Sequence, residues 1–255
     1  MKAQTGPYPP GFGPSSYGTS FADVYDQWYS NISDADATAR FMADRCDGRT
    51  ILELGVGTGR LVSALQGIGL TVVGLDSSAA MLRNCAEDTL LAVADISTIP
   101  LRTGAGLGGA LCAFNTLFNL PTAGLQQAVL AQAASVVGGP VVIEAMTGAG
   151  LAEAETQSIG VSRLTSDSLV LAATIVNHEA QTITGQHVDI TEAGIKLRPW
   201  HLRWSTPAEL DAMAARAGLR LVERYADWDE NSFEDVSRNH VSVYRRQSAA
   251  ATESV

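Results

Sequence analysis

Short apolar runs alternate along the first part of the chain with segments of helical period, a pattern that predicts strands buried on both faces of a parallel sheet. The runs are Thr50–Leu54, Thr71–Asp76, Leu90–Ala94, Ala110–Phe114 and Val141–Glu144. Between them lie helical segments: one to about Gln66, one that Ser77-Ser78 can cap and that carries Ala80, Met81, Leu82 and Cys85, and Gln126–Val137. A helix over Asp36–Asp47, ended by Gly48, precedes the first strand. From Ser162 the pattern changes. Ser168–Asn177, Thr182–Thr191 and Ile195–Trp204 read as strands of an antiparallel sheet, with Thr184-Gly185 and Ala193-Gly194 as turn residues. Thr206-Pro207 then starts a helix that Gly218 stops, and Leu219–Tyr225 and His240–Arg245 supply a sixth and a seventh strand. The chain divides accordingly into a flexible arm over 1–20, a core over 21–150, a β-rich lid insertion over 151–204, the rest of the core over 205–246, and a disordered tail over 247–255.

Three glycines at alternate positions, Gly55, Gly57 and Gly59, follow the first strand. Glycine lets the chain turn sharply and lets a ligand approach where a Cβ would collide. The helix behind the loop points its free N–H groups at whatever the loop holds. The dinucleotide fingerprint Gly-x-Gly-x-x-Gly does not fit, because its last glycine would fall on Arg60 or on Val62. Two acids sharpen the picture. Asp76 ends the second strand, where a carboxylate can accept hydrogen bonds from two ribose hydroxyls. Glu53, two residues before Gly55, would repel a pyrophosphate and suits a ligand with positive charge nearby.

These residues resemble the class I S-adenosylmethionine (SAM)-dependent methyltransferases, whose first motif reads acid-x-Gly-x-Gly-x-Gly. The resemblance runs from about Tyr25 to Arg246. It implies an α/β fold, a doubly wound, Rossmann-like seven-stranded sheet with an inserted antiparallel β lid, and SAM as cofactor. Glu53, Gly55, Gly57 and Gly59 match the first motif, and Asp76 matches the ribose acid, with Ser77 and Met81 on the segment behind it. Asp95 and Ile96 match the third motif beside the adenine, and Phe114 ends the fourth strand at the cofactor. The aromatics Phe21, Tyr25, Trp28 and Tyr29 have two readings. They cap the edge of the domain, or Tyr17 or Tyr25 closes over the cofactor, as a Tyr-Asp segment does in many of these enzymes. The insertion and the phrase Arg198–Trp204 resemble bacterial deoxysugar amino-methyltransferases, which often carry a histidine at the lip where this chain has Asn119.

Methyl transfer is an in-line displacement, so the protein mainly fixes distance and angle and excludes water. An amine nucleophile needs only to be uncharged, whereas a hydroxyl usually needs a base. His201 is the foremost candidate base, with Arg203 to hold an anionic or polar group; the competing reading makes His201 an exposed strand residue. By strand alternation His201 shares a face with Pro199 and Arg203, opposite Trp200 and Leu202, and the expectation is that the His201 face meets the acceptor. Asn115 and Asn119 are placed to face substrate at the lip of the fourth strand, or else make turns. Glu144 either orients substrate or caps the next turn.

Charge and composition narrow the partners. A net charge of −10, a pI of about 4.8 and the lack of a Lys/Arg run argue against nucleic acid. No Asn-Pro-Pro-Tyr-like run follows the fourth strand, as it does in many amide- and base-modifying enzymes. The expected acceptor is an N or O atom of a small molecule, such as a bacterial secondary metabolite or an amino sugar. A protein or RNA methyltransferase, and a SAM-binding protein without methyl transfer, are the alternatives. Cys46, Cys85 and Cys112 form no Cys-x-x-Cys pair and are not joined by histidines at zinc-like spacing, so no metal is expected. With no signal-like start and no apolar run of about 18 residues, the expectation is a cytoplasmic protein without a membrane partner. A homodimer through the lid is also expected.

Overall fold

The computed structural model describes residues 6–29, 34–151 and 154–247. Its strands, in chain order, are Thr50–Leu54 (β1), Thr71–Asp76 (β2), Leu90–Val93 (β3), Gly109–Cys112 (β4), Val141–Met146 (β5), Gln157–Leu164 (β6), Ser168–Asn177 (β7), Thr182–Thr191 (β8), Gly194–Arg203 (β9), Leu219–Tyr225 (β10) and Asn239–Arg246 (β11). The helices are Ser16–Phe21 (α1), Tyr25–Trp28 (α2), Ala35–Arg45 (α3), Val62–Gly67 (α4), Ala79–Leu82 (α5), Ala123–Val136 (α6) and Pro207–Arg216 (α7). Seven strands form one sheet in the order β10-β11-β5-β4-β1-β2-β3, and β6 to β9 form a second, antiparallel sheet. β1 to β5 are parallel, and β11 runs antiparallel to both β5 and β10. The winding reverses between β1 and β4, where ligands of open α/β sheets bind beyond the strand ends.

Alternation along β1 feeds two cores. Ile51 packs with Phe41 and Met42 of α3 and with Val62 and Leu65 of α4, while Leu52 and Leu54 pack with Val129 and Leu130 of α6 and with Leu210 and Met213 of α7. Each such side chain contributes about 1.5–3 kcal/mol when fully buried. Polar side chains fix where the helices begin. Asp34 accepts from the Ala37 N–H at 3.0 Å, and Thr206 and Glu209 form a reciprocal capping box around Pro207.

Three expectations change. Residues 16–21 are helical rather than an irregular arm: Phe21 is fully buried, and Arg198 of β9 donates to the Ser20 carbonyl at 2.7 Å and to Asp23 at 2.6 Å. The helix is held by tertiary contacts, which the Pro-, Gly- and Ser-rich composition of residues 1–20 does not reveal. Residues 1–5 of the expected arm and 248–255 of the expected tail lie outside the described residues. The lid has a fourth strand, β6, on the edge beyond β7. Gly185 lies inside β8 rather than in a turn, and a Cβ there would collide with the Trp200 ring.

Candidate active site

The loop after β1 holds Gly55, Gly57 and Gly59 at φ +73°, +59° and +81°, in the left-handed region. A Cβ on Gly55 would fall on Thr116, and one on Gly59 would fall on Cys85. On Gly57 it would meet nothing within 4 Å, because Gly57 borders a cavity. Asp76, at the end of β2, ties this loop down. Its carboxylate accepts from the Gly57 N–H at 3.0 Å and from the Ser78 N–H at 2.7 Å, and burial raises its pKa. The outcome is a backbone cradle with an anchored carboxylate beside it, which suits a nucleoside with a free ribose.

The cavity lies over the carboxyl ends of β1, β2 and β4. Ser77, Met81, Asp95 and Ile96 line it near Asp76, and Phe114, Asn115, Thr116 and Asn119 line it after β4. The N-terminal segment supplies Tyr8, Tyr17, Gly18, Tyr25 and Tyr29, and the lid supplies His187, Trp200 and Leu202. Tyr17 stacks on Phe21 at 4.7 Å between ring centroids, and Tyr29 lies 6.1 Å from Phe114. Burial pushes the Tyr25 hydroxyl up to about 12, and burial with the nearby Asp95 does the same for Tyr8. These phenols stay neutral at neutral pH.

Of the residues expected at the cofactor, Tyr17, Tyr25, Gly55, Gly57, Asp76, Ser77, Met81, Asp95, Ile96 and Phe114 come together around this cavity. Glu53 and Gly59 do not line it. Glu53 is buried in β1, its Oε2 has no hydrogen-bond partner, and burial pushes its carboxyl up to about 8 against the opposing pull of Arg60. Gly59 instead gives room to Cys85.

The acceptor-side residues need larger corrections. Asn115 lines the cavity, but its Oδ1 accepts from the Met146 N–H at 2.7 Å, so that oxygen serves the fold. Phe114 and Asn115 both have positive φ, 46° and 59°, and Glu144 holds this turn by accepting from the Phe114 N–H at 2.7 Å. Glu144 is therefore the cap of a turn. His201 and Arg203 lie on the wrong face of β9. His201 Nδ1 is 2.9 Å from the Thr184 hydroxyl, with Phe12 beside the ring. Arg203 donates to Ser205 and Gln126 at the base of the lid. Trp200 and Leu202, the opposite face, meet the cavity. A signal for this was available in the sequence: Trp200, Leu202 and Trp204 form an apolar row at i, i+2 and i+4, and such a row marks the buried face.

His187 had no comparable signal. It faces the cavity, and its Nδ1 lies 3.1 Å from the Trp200 indole nitrogen. Burial and the Arg198 charge lower its pKa. Asn119 lines the cavity with a buried Oδ1 that lacks a partner. Among the described residues no group of three His, Cys, Asp or Glu side chains is placed to hold a metal, and no helix is long and apolar enough to cross a membrane.

Comparison with known proteins agrees with this geometry. Residues 52–134 match a family described as a methyltransferase domain. The CcbJ methyltransferase from Streptomyces caelestis is 35% identical, with 93% of this chain and 100% of that chain covered and a TM-score of 0.86. The fold is shared by two more distant structures. One is the SAM-bound amino pentose methyltransferase CalS10 from Micromonospora echinaspora, 19% identical over 93% of this chain and 100% of that one, with a TM-score of 0.65. The other is the sugar N-methyltransferase KedS8 from Streptoalloteichus sp ATCC 53650, 18% identical over 97% and 99%, with a TM-score of 0.67. No curated protein matches the chain.

Proposed function

The chain belongs to the S-adenosylmethionine-dependent methyltransferases, and we propose that it transfers the methyl group to an uncharged amine nitrogen of a small molecule. SAM is the cofactor and supplies the methyl group on a positively charged sulfur. In this reading Asp76 receives the ribose hydroxyls, the open side of Gly57 admits the cofactor, and Asp95 and Ile96 lie at the adenine. Tyr17 and Tyr25 wall the site against water.

One observation carries the choice of an amine: Asp76, Asp95 and His187, the carboxylates and histidine facing the cavity among the described residues, each already accept a hydrogen bond. Asp76 is bound to two backbone N–H groups, Asp95 accepts from the Ser97 N–H at 2.8 Å, burial raises Tyr8, Tyr17 and Tyr25, and His187 Nδ1 faces an indole N–H. A hydroxyl acceptor would need one of them to take a proton. A neutral amine needs alignment alone. The chain's net charge of −10 favours a small acceptor over nucleic acid. We place the reaction in the cytoplasm, where the three free cysteines stay reduced. The likeness to CalS10 and KedS8, an amino pentose and a sugar N-methyltransferase, supports amino sugars as first candidates.

The test is incubation with SAM and a panel of aminodeoxy sugars, amino acid amides and arylalkyl amines, each paired with its hydroxyl analogue, followed by mass spectrometry. One or more amines should gain a methyl group while their hydroxyl analogues do not. Methylation of the hydroxyl members alone would overturn the reading.

A further inference from the structure

His187 stands on β8 with its ring at the cavity, packed edge-on to Phe21 at 5.6 Å between centroids and beside Trp28 at 5.7 Å. The Trp200 indole nitrogen, 3.1 Å from His187 Nδ1, can only donate. Nδ1 is therefore the acceptor of that bond and carries no proton. A neutral imidazole keeps one proton, which must then sit on Nε2. Protonating Nδ1 would set two donors against each other and leave the indole N–H without its partner.

The charged surroundings act in the same direction. Burial disfavours the imidazolium, and so does the Arg198 guanidinium, whose own partners are Asp23 and Asp189. No carboxylate is bonded to His187 among the described residues. Among the described residues its Nε2 has no protein partner, which leaves that N–H for a ligand.

We infer that His187 is a fixed neutral donor, set in its tautomer by Trp200, whose Nε2–H recognises an oxygen of the methyl acceptor. Only the nature of what it recognises rests on the proposed amine methylation; the tautomer does not. Its ligand class is an amine that also carries a hydroxyl, ether, carbonyl or carboxylate oxygen. His187 is thus a specificity-determining residue and takes no proton during the reaction.

Two measurements test this. Long-range proton–nitrogen spectra of histidine-labelled protein, saturated with S-adenosylhomocysteine, should show neutral His187 as the Nε2–H tautomer, with a midpoint below the ordinary value of about 6.5. Trp200→Phe should free Nδ1 and raise the midpoint, while burial and Arg198 still hold it below the ordinary value of about 6.5. An Nδ1–H tautomer, or a midpoint near 6.5 in the unaltered protein, would overturn the inference. Recognition is read with the amine turned over fastest in the panel above. His187→Phe should raise its KM about tenfold, the scale of one lost hydrogen bond, and His187→Gln, which keeps an N–H at its tip, should recover most of that. An unchanged KM in His187→Phe would remove the recognition role, and so would a loss confined to kcat that Gln does not rescue. If no amine in the panel is methylated, the amine reading fails and the spectra still decide the tautomer.

Discussion

Glu53 is a buried carboxyl group that the fold leaves under-satisfied. It is buried under the glycine loop with an unpartnered oxygen, and burial pushes its carboxyl up to about 8. An unfolded glutamate releases its proton near about 4.3. Between those two values the folded chain keeps a proton that the unfolded chain gives up, so stability falls as pH rises through that window. The cofactor-free protein should therefore lose thermal stability from about pH 5 to about pH 8, and Glu53→Gln should flatten the decline. An identical slope in the variant would show that Glu53 is not the group responsible. The places of Gly55, Gly57 and Asp76 at the cavity were legible in the sequence because each follows from a short local pattern, a strand end or a turn without Cβ atoms, whereas Glu53 and Gly59 belong to the same pattern but do not line the cavity. His187 was not legible, because its role is set by Trp200, its neighbour across the lid sheet.

Among the elements, the lid and the N-terminal helices act as one wall. Arg198 of β9 is buried and bonds at once to Asp189 of β8, to Asp23 and to the Ser20 carbonyl, while its guanidinium lies 5.2 Å from the Trp28 ring. It fastens α1, which carries Tyr17 and Gly18, against the lid. Removing one partner of a buried ion pair costs about 3–5 kcal/mol, because the other charge is stranded. Arg198→Leu should therefore lower the unfolding free energy in urea by about 3 kcal/mol. Asp23→Asn, at an exposed carboxylate, should cost less than about 1 kcal/mol. Equal losses in the two variants would contradict the buried clamp. The strands of the main sheet could be read from their apolar runs alone. α1 could not, since a helix held by a distant arginine leaves no period of its own, whereas the inward face of β9 was marked by the apolar row Trp200, Leu202 and Trp204.

For the whole molecule, the outward face of the lid is, among the described residues, an apolar surface that only the N-terminal segment around Phe12 approaches. Cross-strand register lines up Val161, Leu171, Val188 and Leu197 in one row, and Leu164, Leu169, Ile190 and Ile195 in the next. Ile159, Ala173, Gln186 and Pro199 form a third row, and none of these side chains is ionised, in a chain of net charge −10. Exposed apolar patches of this extent mark interaction surfaces. We propose that a second copy covers it, since a sheet face can pair with itself about a two-fold axis. Sedimentation velocity should show a dimer, and Val161→Lys with Leu197→Lys should give a folded monomer; a monomeric unaltered protein would refute the pairing.

The central claim is that the cavity beside Gly57 and Asp76 is where SAM binds, and calorimetric titration of SAM tests it most directly. The unaltered protein should bind one SAM per chain. Asp76→Ala should weaken binding by about 1–3 kcal/mol, the scale for stranding buried hydrogen-bond partners. Gly57→Val should abolish it while circular dichroism still reports a folded protein, because the new side chain would stand where the open side of the loop now meets the cavity. Identical titration curves for the unaltered protein and both variants would contradict the account.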